Sequence, residues 1–527
     1  MKKIKTLIYG FGLVNNLLNE LEKSELLDIK IEYITNRKNS ITHWEYPYLS
    51  PNKSPELKYS LPFDLYLKIF YKQFPNFMRN WTRWDSFYGV MSSGMDIFYQ
   101  FKRVLDDCYS KLIENEIELI IHANFPHEVV DTMYMVLAKE LGIKIIFGSP
   151  AQYLQKKILL LRENVEDIGK CENQKKHNNI EDFGIEDFLK AREFISKPPA
   201  DWKNCETFLN SHALDNDNIF KNVNKKKIDE FYKILKHITV NEIPKGIRYA
   251  YYPLHYQPEA STISLADSWC EDQTVLIEGI VRQMPDDMYL VVKEHFQQTF
   301  HWREPIFYQK LAELKKVIFV SPDLQSTDIL KNAEFAVTTT GSVGFEALMM
   351  EKPVVYGGYP LYQCIPGAFK FDENFNINDV LNFNCNKEDI KKAFTEFLQT
   401  GYEGTNNPYD NGLDCTEEEN MQKLVYAYTD YINEIFGNNP NYRENIKNMY
   451  KNLEENTKIK ENINPEIQEN IKNCLPDLSY FNKRRYQDFP DIAYLYKNRK
   501  KKSNKYGKIS TFIEKNTRSI RKLFNKK

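Results

Sequence analysis

The chain has 527 residues, 42% hydrophobic and 27% charged, which is the composition of a folded soluble protein too long for one ordinary core. Its 71 basic and 73 acidic residues nearly cancel, yet Lys497 to Lys527 holds 13 Lys and Arg against Glu514 alone, leaving the remainder at a net of −14. No run of 18 apolar residues occurs, which excludes a hydropathy-defined transmembrane helix. The eight scattered cysteines lack a CxxC pair, so reduced cytosolic thiols are expected rather than disulfides or a zinc site.

In chain order, "MKKIKTLIYGFGLVNNLL" begins as a secretory leader would. Gly10 and Gly12 interrupt its apolar run and no small-residue cleavage site follows, so a first strand is expected. "KTLIYGF", "VNNLLNELEKSELL" and "IKIEYIT" then read as a β-α-β unit. Gly-x-Gly without a third glycine is a weak dinucleotide signal and is read as a tight turn. Residues 40–100 are rich in Trp, Tyr and Pro; they suit either a cleft cap that stacks on carbohydrate or an aromatic satellite core.

Alternation resumes with strand "IELIIHAN" (117–124), helix "PHEVVDTMYMVLAKELG" (126–142) and strand "IKIIFGS" (143–149). Pro126 suits a first helical position, which places His127 and Glu128 in the first turn at the tip of the preceding strand. Residues 1–154 thus read as an N-terminal Rossmann-like domain. Residues 155–245, charged and poorly periodic, are expected to form a helical bridge to a second such domain, 246–440. That domain runs strand "IRYAYYPL", a helix around 262–283, strand "MYLVVKEH", a helix near 304–315, strand "KVIFVSP", a helix near 325–332, strand "FAVTTT", helix "VGFEALMME" and strand "KPVVYGG". Strands alternating with helices at this spacing imply parallel sheets covered on both faces. Residues 441–527 are expected to be a peripheral helical extension.

Three strand ends of the second domain carry polar groups. In "YYPLHYQPEAST", Pro258 cannot continue a central strand, so His255, Gln257 and Glu259 fall where a strand ends and ligands bind in open α/β sheets. In "VVKEH", Lys293 and His295 share a face at strand spacing and suit a phosphate leaving group. In "TTTGSVGFEALMMEKPVV", Thr340, Gly341 and Ser342 precede a helix with Glu346 one turn in. This is either an anion and ribose site or a helix whose Ser342 caps only itself.

These three stretches resemble the capsule polysaccharide biosynthesis proteins, which include bacterial Kdo transferases, and "NFPHEVVDTMYMVLAKELGIK" resembles the amino-terminal half of related surface-polysaccharide proteins. The resemblance covers roughly 117–150 and 247–370. It implies a GT-B-like α/β fold, two Rossmann-like domains facing across a cleft, with the donor nucleotide on the second and no metal or other cofactor. It implies donor-phosphate binding by His295 and Lys293, although Phe296 stands where the family has proline. Ser342 and Glu346, with Gly341, match the donor-binding helix; Glu259 matches a recurrent glutamate of unassigned role. His127 and Glu128 are the acceptor-side candidates for a base.

The expected activity is transfer of a sugar from a nucleotide-activated donor, CMP-Kdo-like among the options, to a surface polysaccharide or its lipid-linked precursor. The alternatives are a nucleotide-sugar 2-epimerase, an activated-phosphoryl transferase, or a non-catalytic capsule-assembly subunit. In the tail, Ile509, Phe512, Ile513, Ile520, Leu523 and Phe524 lie on roughly one helical face among basic residues. Either it is a solvated tail or it rests on an anionic membrane, each basic residue adding about 1 kcal/mol near the surface. With no reading module beside it, nucleic acid is not expected as a partner. A cytoplasmic protein peripheral on the inner membrane, in contact with other capsule-assembly proteins, is the resulting expectation.

Overall fold

The computed structural model describes residues 3–9, parts of 17–24, 30–33, 57–88, 94–126, 129–151, 158–186, 188–189, 230–257, 259–296, 298, 303, 305–406 and 417–459. His127, Glu128 and the basic tail lie outside them. Two six-stranded sheets fall within one compact unit that extends to Ile459, apart from 87–89 and 213–225.

The first sheet is built from β1 (Lys3–Tyr9), β2 (Lys30–Tyr33), β3 (Leu119–His122), β4 (Lys144–Pro150) and β5 (Ile158–Arg162). The order β2-β1-β3-β4 is parallel, as the alternating apolar segments predict; β5 then turns back antiparallel to β4. Helices α1 (Phe63–Tyr88), α2 (Gly94–Glu114) and α3 (Val129–Leu141) belong to the same half. The aromatic segment therefore forms long helices, and its rings pack together: Phe77, Trp81 and Phe101 are fully buried, with Phe70 and Phe74 stacked at 4.9 Å. That is the satellite-core reading.

The second sheet is parallel throughout. Its chain order is β6 (Arg248–Pro253), α4 (Gln273–Gln283), β7 (Met288–Lys293), α5 (Pro305–Ala312), β8 (Val317–Val320), α6 (Ser326–Asn332), β9 (Ala336–Thr338), α7 (Val343–Met349), β10 (Val354–Tyr356) and β11 (Ala368–Lys370), followed by α8 (Ile377–Leu381) and α9 (Lys387–Gln399). The spatial order is β11-β10-β9-β6-β7-β8, so the winding reverses between β6 and β9. Strands covered on both faces read as unbroken apolar runs, which is why Ala250, Tyr252, Leu290, Val292, Val337 and Val355 all enter one core with Leu276, Ile277 and Ile280 of α4. Asp272 caps α4 by accepting from the Thr274 amide at 3.0 Å.

Several expectations are corrected. Residues 158–162, expected inside the helical bridge, are a buried strand, because four consecutive apolar residues (Ile158 to Leu161) outweigh their charged surroundings. The helix expected from 262 starts only at Gln273, after a single turn at Ala260–Thr262. Beyond β12 (Tyr402–Glu403), which pairs with β5, helices α10 (Glu418–Gly437) and α11 (Tyr442–Thr457) complete the described chain. Far from peripheral, α11 is tied to the first sheet: Arg443 pairs with buried Glu118 at 2.8 Å, and the Tyr442 and Tyr450 hydroxyls donate to the Glu118 and Ile117 carbonyls. Cys171 and Cys364 form a disulfide across 193 residues, with Cα atoms 5.9 Å apart, while Cys108, Cys270 and Cys385 are free thiols. Spacing could not reveal a pair so distant in sequence. Among the described residues, no helix is long and apolar enough to cross a membrane.

Gly344 sits where any Cβ would overlap the Tyr362 ring. Gly344→Ala should therefore destabilise the protein by about 1–3 kcal/mol. Thermal unfolding of the double variant with Tyr362→Ala should show the two effects to be less than additive.

Candidate functional site

In an open α/β sheet the crevice for ligands opens at the carboxyl ends of the strands where the winding reverses. Here that point lies between β6 and β9, whose register pairs Tyr251 with Ala336. His255, two residues beyond β6, crosses the gap. Its Nε2 lies 2.9 Å from Thr338 Oγ1 and accepts from the Thr339 and Thr340 amides at 3.2 and 3.3 Å. Two amides can only donate, so Nε2 is an acceptor and the ring proton is assigned to Nδ1. Burial, reinforced by His295 and Arg303, lowers the His255 pKa to about 3, so the ring is neutral. Gly341 approaches closely because a side chain there would meet Thr338 Oγ1 at 2.7 Å and the His255 ring at 3.0 Å. Its amide donates to Thr338 Oγ1 at 2.9 Å.

Beneath this corner lies a buried charge pair absent from the sequence reading. Arg303, 1% exposed, donates from Nε to Glu294 Oε2 at 3.0 Å, from a terminal nitrogen to the His255 carbonyl at 2.8 Å, and to Gln257 Oε1. Glu294, also 1% exposed, accepts further from the Tyr308 hydroxyl at 2.6 Å and the His295 amide at 2.7 Å. Gln257 is held on all sides: its amide donates to Gln298 Oε1, its Nε2 to the Glu271 carbonyl, and its Oε1 accepts from Gln273. His255 and Gln257 thus turn inward and build the loop, where a position on the open cleft had been expected. Arg303, Gln273 and Gln298 carry no periodic signal. Glu294 did: strand alternation places it on the face opposite Lys293 and His295, which is inward.

Lys293, at the carboxyl end of β7, donates to the Leu324 carbonyl at 2.5 Å and to Ser326 Oγ at 2.9 Å. Burial lowers its pKa to about 8, partly offset by the Asp323 and Glu346 carboxylates. His295 is half-buried as a residue, its ring lying between those of Tyr256 (5.6 Å) and Phe296 (5.0 Å, 19° between planes). Burial, followed by Lys293 and Arg303, lowers its pKa to about 4. Thr340 Oγ1 donates to the Ser261 carbonyl at 2.8 Å, tying the β9 loop to the turn after Glu259. Glu259 is half-buried, and its carbonyl accepts from the Thr262 amide and hydroxyl. Ser342 reaches buried Glu346 at 3.4 Å and does not cap α7, which is seven residues long. The structure therefore brings Lys293, His295, Thr340, Gly341, Ser342, Glu346 and Glu259 to one edge. Three amides of the β9 loop, those of Thr339, Thr340 and Gly341, are already engaged within the protein.

Fold and site together define an α/β protein with two Rossmann-like sheets of the GT-B-like plan, the polar corner lying at the switch point of the second. Residues 185–369 match the capsule polysaccharide biosynthesis protein family, and this stretch holds β6 to β10 with all three motif loops. The family to which those motifs pointed is therefore the family matched. No curated protein matches the chain in sequence. Solved structures with similarity include the beta Kdo 2,7 transferase of Thermosulfurimonas dismutans KpsC (14% identity, TM-score 0.28, covering 66% of this chain and 95% of that one). Others are the UDP-GlcNAc 2-epimerases of Methanocaldococcus jannaschii (13%, 0.22, 81% and 100%) and Neisseria meningitidis (10%, 0.22, 82% and 100%).

Arg303→Met leaves Glu294 buried without its cation and should cost about 3–5 kcal/mol, part of it recovered by adding Glu294→Gln. Denaturant unfolding measures both. The neutral histidines add a pH dependence. Between about pH 6.5 and the folded pKa values near 3 and 4, the unfolded chain binds protons that His255 and His295 refuse. Stability should therefore fall as the pH drops through this window. His255→Gln, which can accept the same amides without titrating, should make the fall shallower.

Proposed function

We propose that the protein is a glycosyltransferase that moves a sugar from a nucleotide-activated donor onto a cell-surface polysaccharide or its lipid-linked precursor. The observation that carries this reading is the gathering of the loops after β6, β7 and β9 at the switch point of a fully parallel sheet, inside the stretch that matches the capsule family.

In this reading the donor's phosphate lies over the carboxyl ends of β7 and β9. Lys293 supplies the positive charge, mostly protonated at neutral pH with its pKa near 8, and its two protein hydrogen bonds fix the ammonium in place. A preset cation stabilises negative charge developing on a leaving phosphate without reorganising. His295 lies beside it as a neutral ring whose pKa an arriving phosphate would raise, suiting it to donate a hydrogen bond to the departing oxygen. Ser342 and Thr340 line the phosphate path, and Glu346 accepts from the ribose hydroxyls. His255, Gln257 and Gly341 shape the loop without touching the donor. Glu259 stands at the rim, toward the sugar, while His127 and Glu128 are the proposed acceptor-side groups. Charge neutralisation by protein groups makes the transfer metal-independent, with the nucleotide-sugar as substrate and no other cofactor. The basic tail would hold the protein on the cytoplasmic face of the inner membrane, close to a lipid-linked acceptor and other capsule-assembly proteins.

Thermal stabilisation by millimolar CMP, CDP, UDP and GDP tests donor binding, because a ligand at 100 times its Kd adds about 2.7 kcal/mol. One of the four should stabilise the wild type and lose this effect in Lys293→Met; silence from all four would overturn the reading. Turnover of nucleotide-sugar without any acceptor would instead identify an epimerase. Donor kcat/KM should fall as the pH rises through about 8, where Lys293 loses its proton, and Lys293→Arg should remove this fall.

A further inference from the structure

Twelve large apolar side chains stand exposed among the described residues, and six of them lie on α1 and α2: Phe63, Tyr71, Met78, Met95, Phe98 and Tyr99. At about 100° per residue, Phe63, Leu67, Phe70, Tyr71, Phe74 and Met78 of α1 fall within one arc of about 100°, the width of an apolar helix face. Ring contacts make that face continuous. Phe63 meets Tyr66, Tyr66 meets Phe70 and Phe70 meets Phe74 at 6.3, 5.8 and 4.9 Å, while Tyr71 edges onto Phe70 at 5.8 Å. Phe98 carries the surface onto α2, with its ring 5.4 and 5.5 Å from Phe70 and Phe74.

The inner rings of this cluster belong to the satellite core, but Phe63 and Tyr71 keep 71% and 77% of their surface in water. Contiguous apolar surface of this kind marks an interaction site. The charges beside it are balanced: Lys68 and Lys72 share Glu140, and Lys102 pairs with Asp106. The face therefore offers apolar area rather than charge.

The path of the chain indicates what the face meets. The end of α11 lies beside the start of α1: the Ser60 amide donates to the Thr457 carbonyl, and the Ile459 amide to the Lys58 carbonyl, both at 2.9 Å. Phe63 follows Ser60 by three residues, and from Ile459 the chain continues toward the basic segment 497–527. One corner of the protein thus carries the aromatic face and the attachment of a segment with 13 Lys and Arg. A bilayer whose anionic headgroups overlie an apolar interior is complementary to both. Tyrosine and phenylalanine also suit that boundary, where one side of a ring is dry and the other wet.

We propose that the aromatic face of α1 and α2 docks on a lipid bilayer, its rings entering the boundary between headgroups and acyl chains. Phe63 and Tyr71 are its outermost anchors. This contact is additional to the one assigned to the basic tail, and it does not depend on the glycosyltransferase reading.

The test is flotation of the full chain with vesicles of phosphatidylethanolamine and phosphatidylglycerol, at low salt and at about 1 M salt, where charges are screened beyond about 3 Å. Binding should persist at high salt, because burial of apolar surface does not depend on charge. Phe63→Ser and Tyr71→Ser should each weaken it about tenfold there, whereas Phe63→Trp should retain it. Since both rings stand mostly in water, the unfolding midpoint should not fall in either serine variant. Binding abolished by high salt would leave the contact to the basic tail alone and overturn the face. So would binding that survives both serine substitutions, or a lowered unfolding midpoint in either. A dimer in light scattering that the substitutions dissolve would make the face a contact between copies, and would overturn the bilayer as its occupant. Vesicle binding without nucleotide stabilisation would sink the donor assignment and leave the face standing.

Discussion

The buried pair of Arg303 and Glu294 is the constraint around which the candidate site is organised. Two charges removed from water cost several kcal/mol each, and that cost is offset only when nearly every donor and acceptor is used. Arg303 meets the demand by reaching Glu294, Gln257 and the His255 carbonyl at once, and Glu294 by taking Tyr308 and the His295 amide as well. The loops after β6 and β7 therefore have one arrangement in which the pair is satisfied. Moving either loop would leave a charge unpaired in a core 1% exposed.

From this frame follows the state of the two motif histidines. Held beside a guanidinium and largely removed from water, neither His255 nor His295 carries a proton near neutrality. For His255 this neutrality is structural, because only a neutral Nε2 can accept the Thr339 and Thr340 amides and thereby set the β9 loop. For His295 it leaves a ring whose protonation responds to whatever charge arrives beside it. Similar residues on adjacent loops thus perform different tasks, and their hydrogen-bond partners distinguish them.

The two sheets are joined by more than the chain that links them. Arg79 of α1 pairs with Glu271, whose carbonyl belongs to the Gln257 network. Cys171 is bonded to Cys364, close to Tyr362, whose hydroxyl donates to the Gly341 carbonyl at 2.9 Å. The backbone at Gly169 lies against Pro360 so closely that a side chain would not fit. Through the Glu271–Gln257 and Tyr362–Gly341 hydrogen bonds the first two of these contacts connect with motif loops, so the first half of the protein bears on the geometry of the corner in the second.

The sequence by itself determined the alternation of strands and helices and the polar strand ends. Both are written locally: apolar runs mark strands buried on both faces, and a proline or glycine marks where each run stops. It did not mark β5, whose short apolar run sits in charged surroundings, or the long aromatic helices, whose rings pack on each other across α1 and α2. Only the tertiary structure decided that β6 lies beside β9, which brings His255 to a threonine 83 residues away. It also decided that Arg303 rather than a motif residue anchors the corner, and that two cysteines 193 residues apart meet. The physical reason is the same each time. Periodicity reports which face of an element is buried, whereas the partner of a buried charge, an imidazole nitrogen or a thiol is chosen by strand order, which no local pattern encodes.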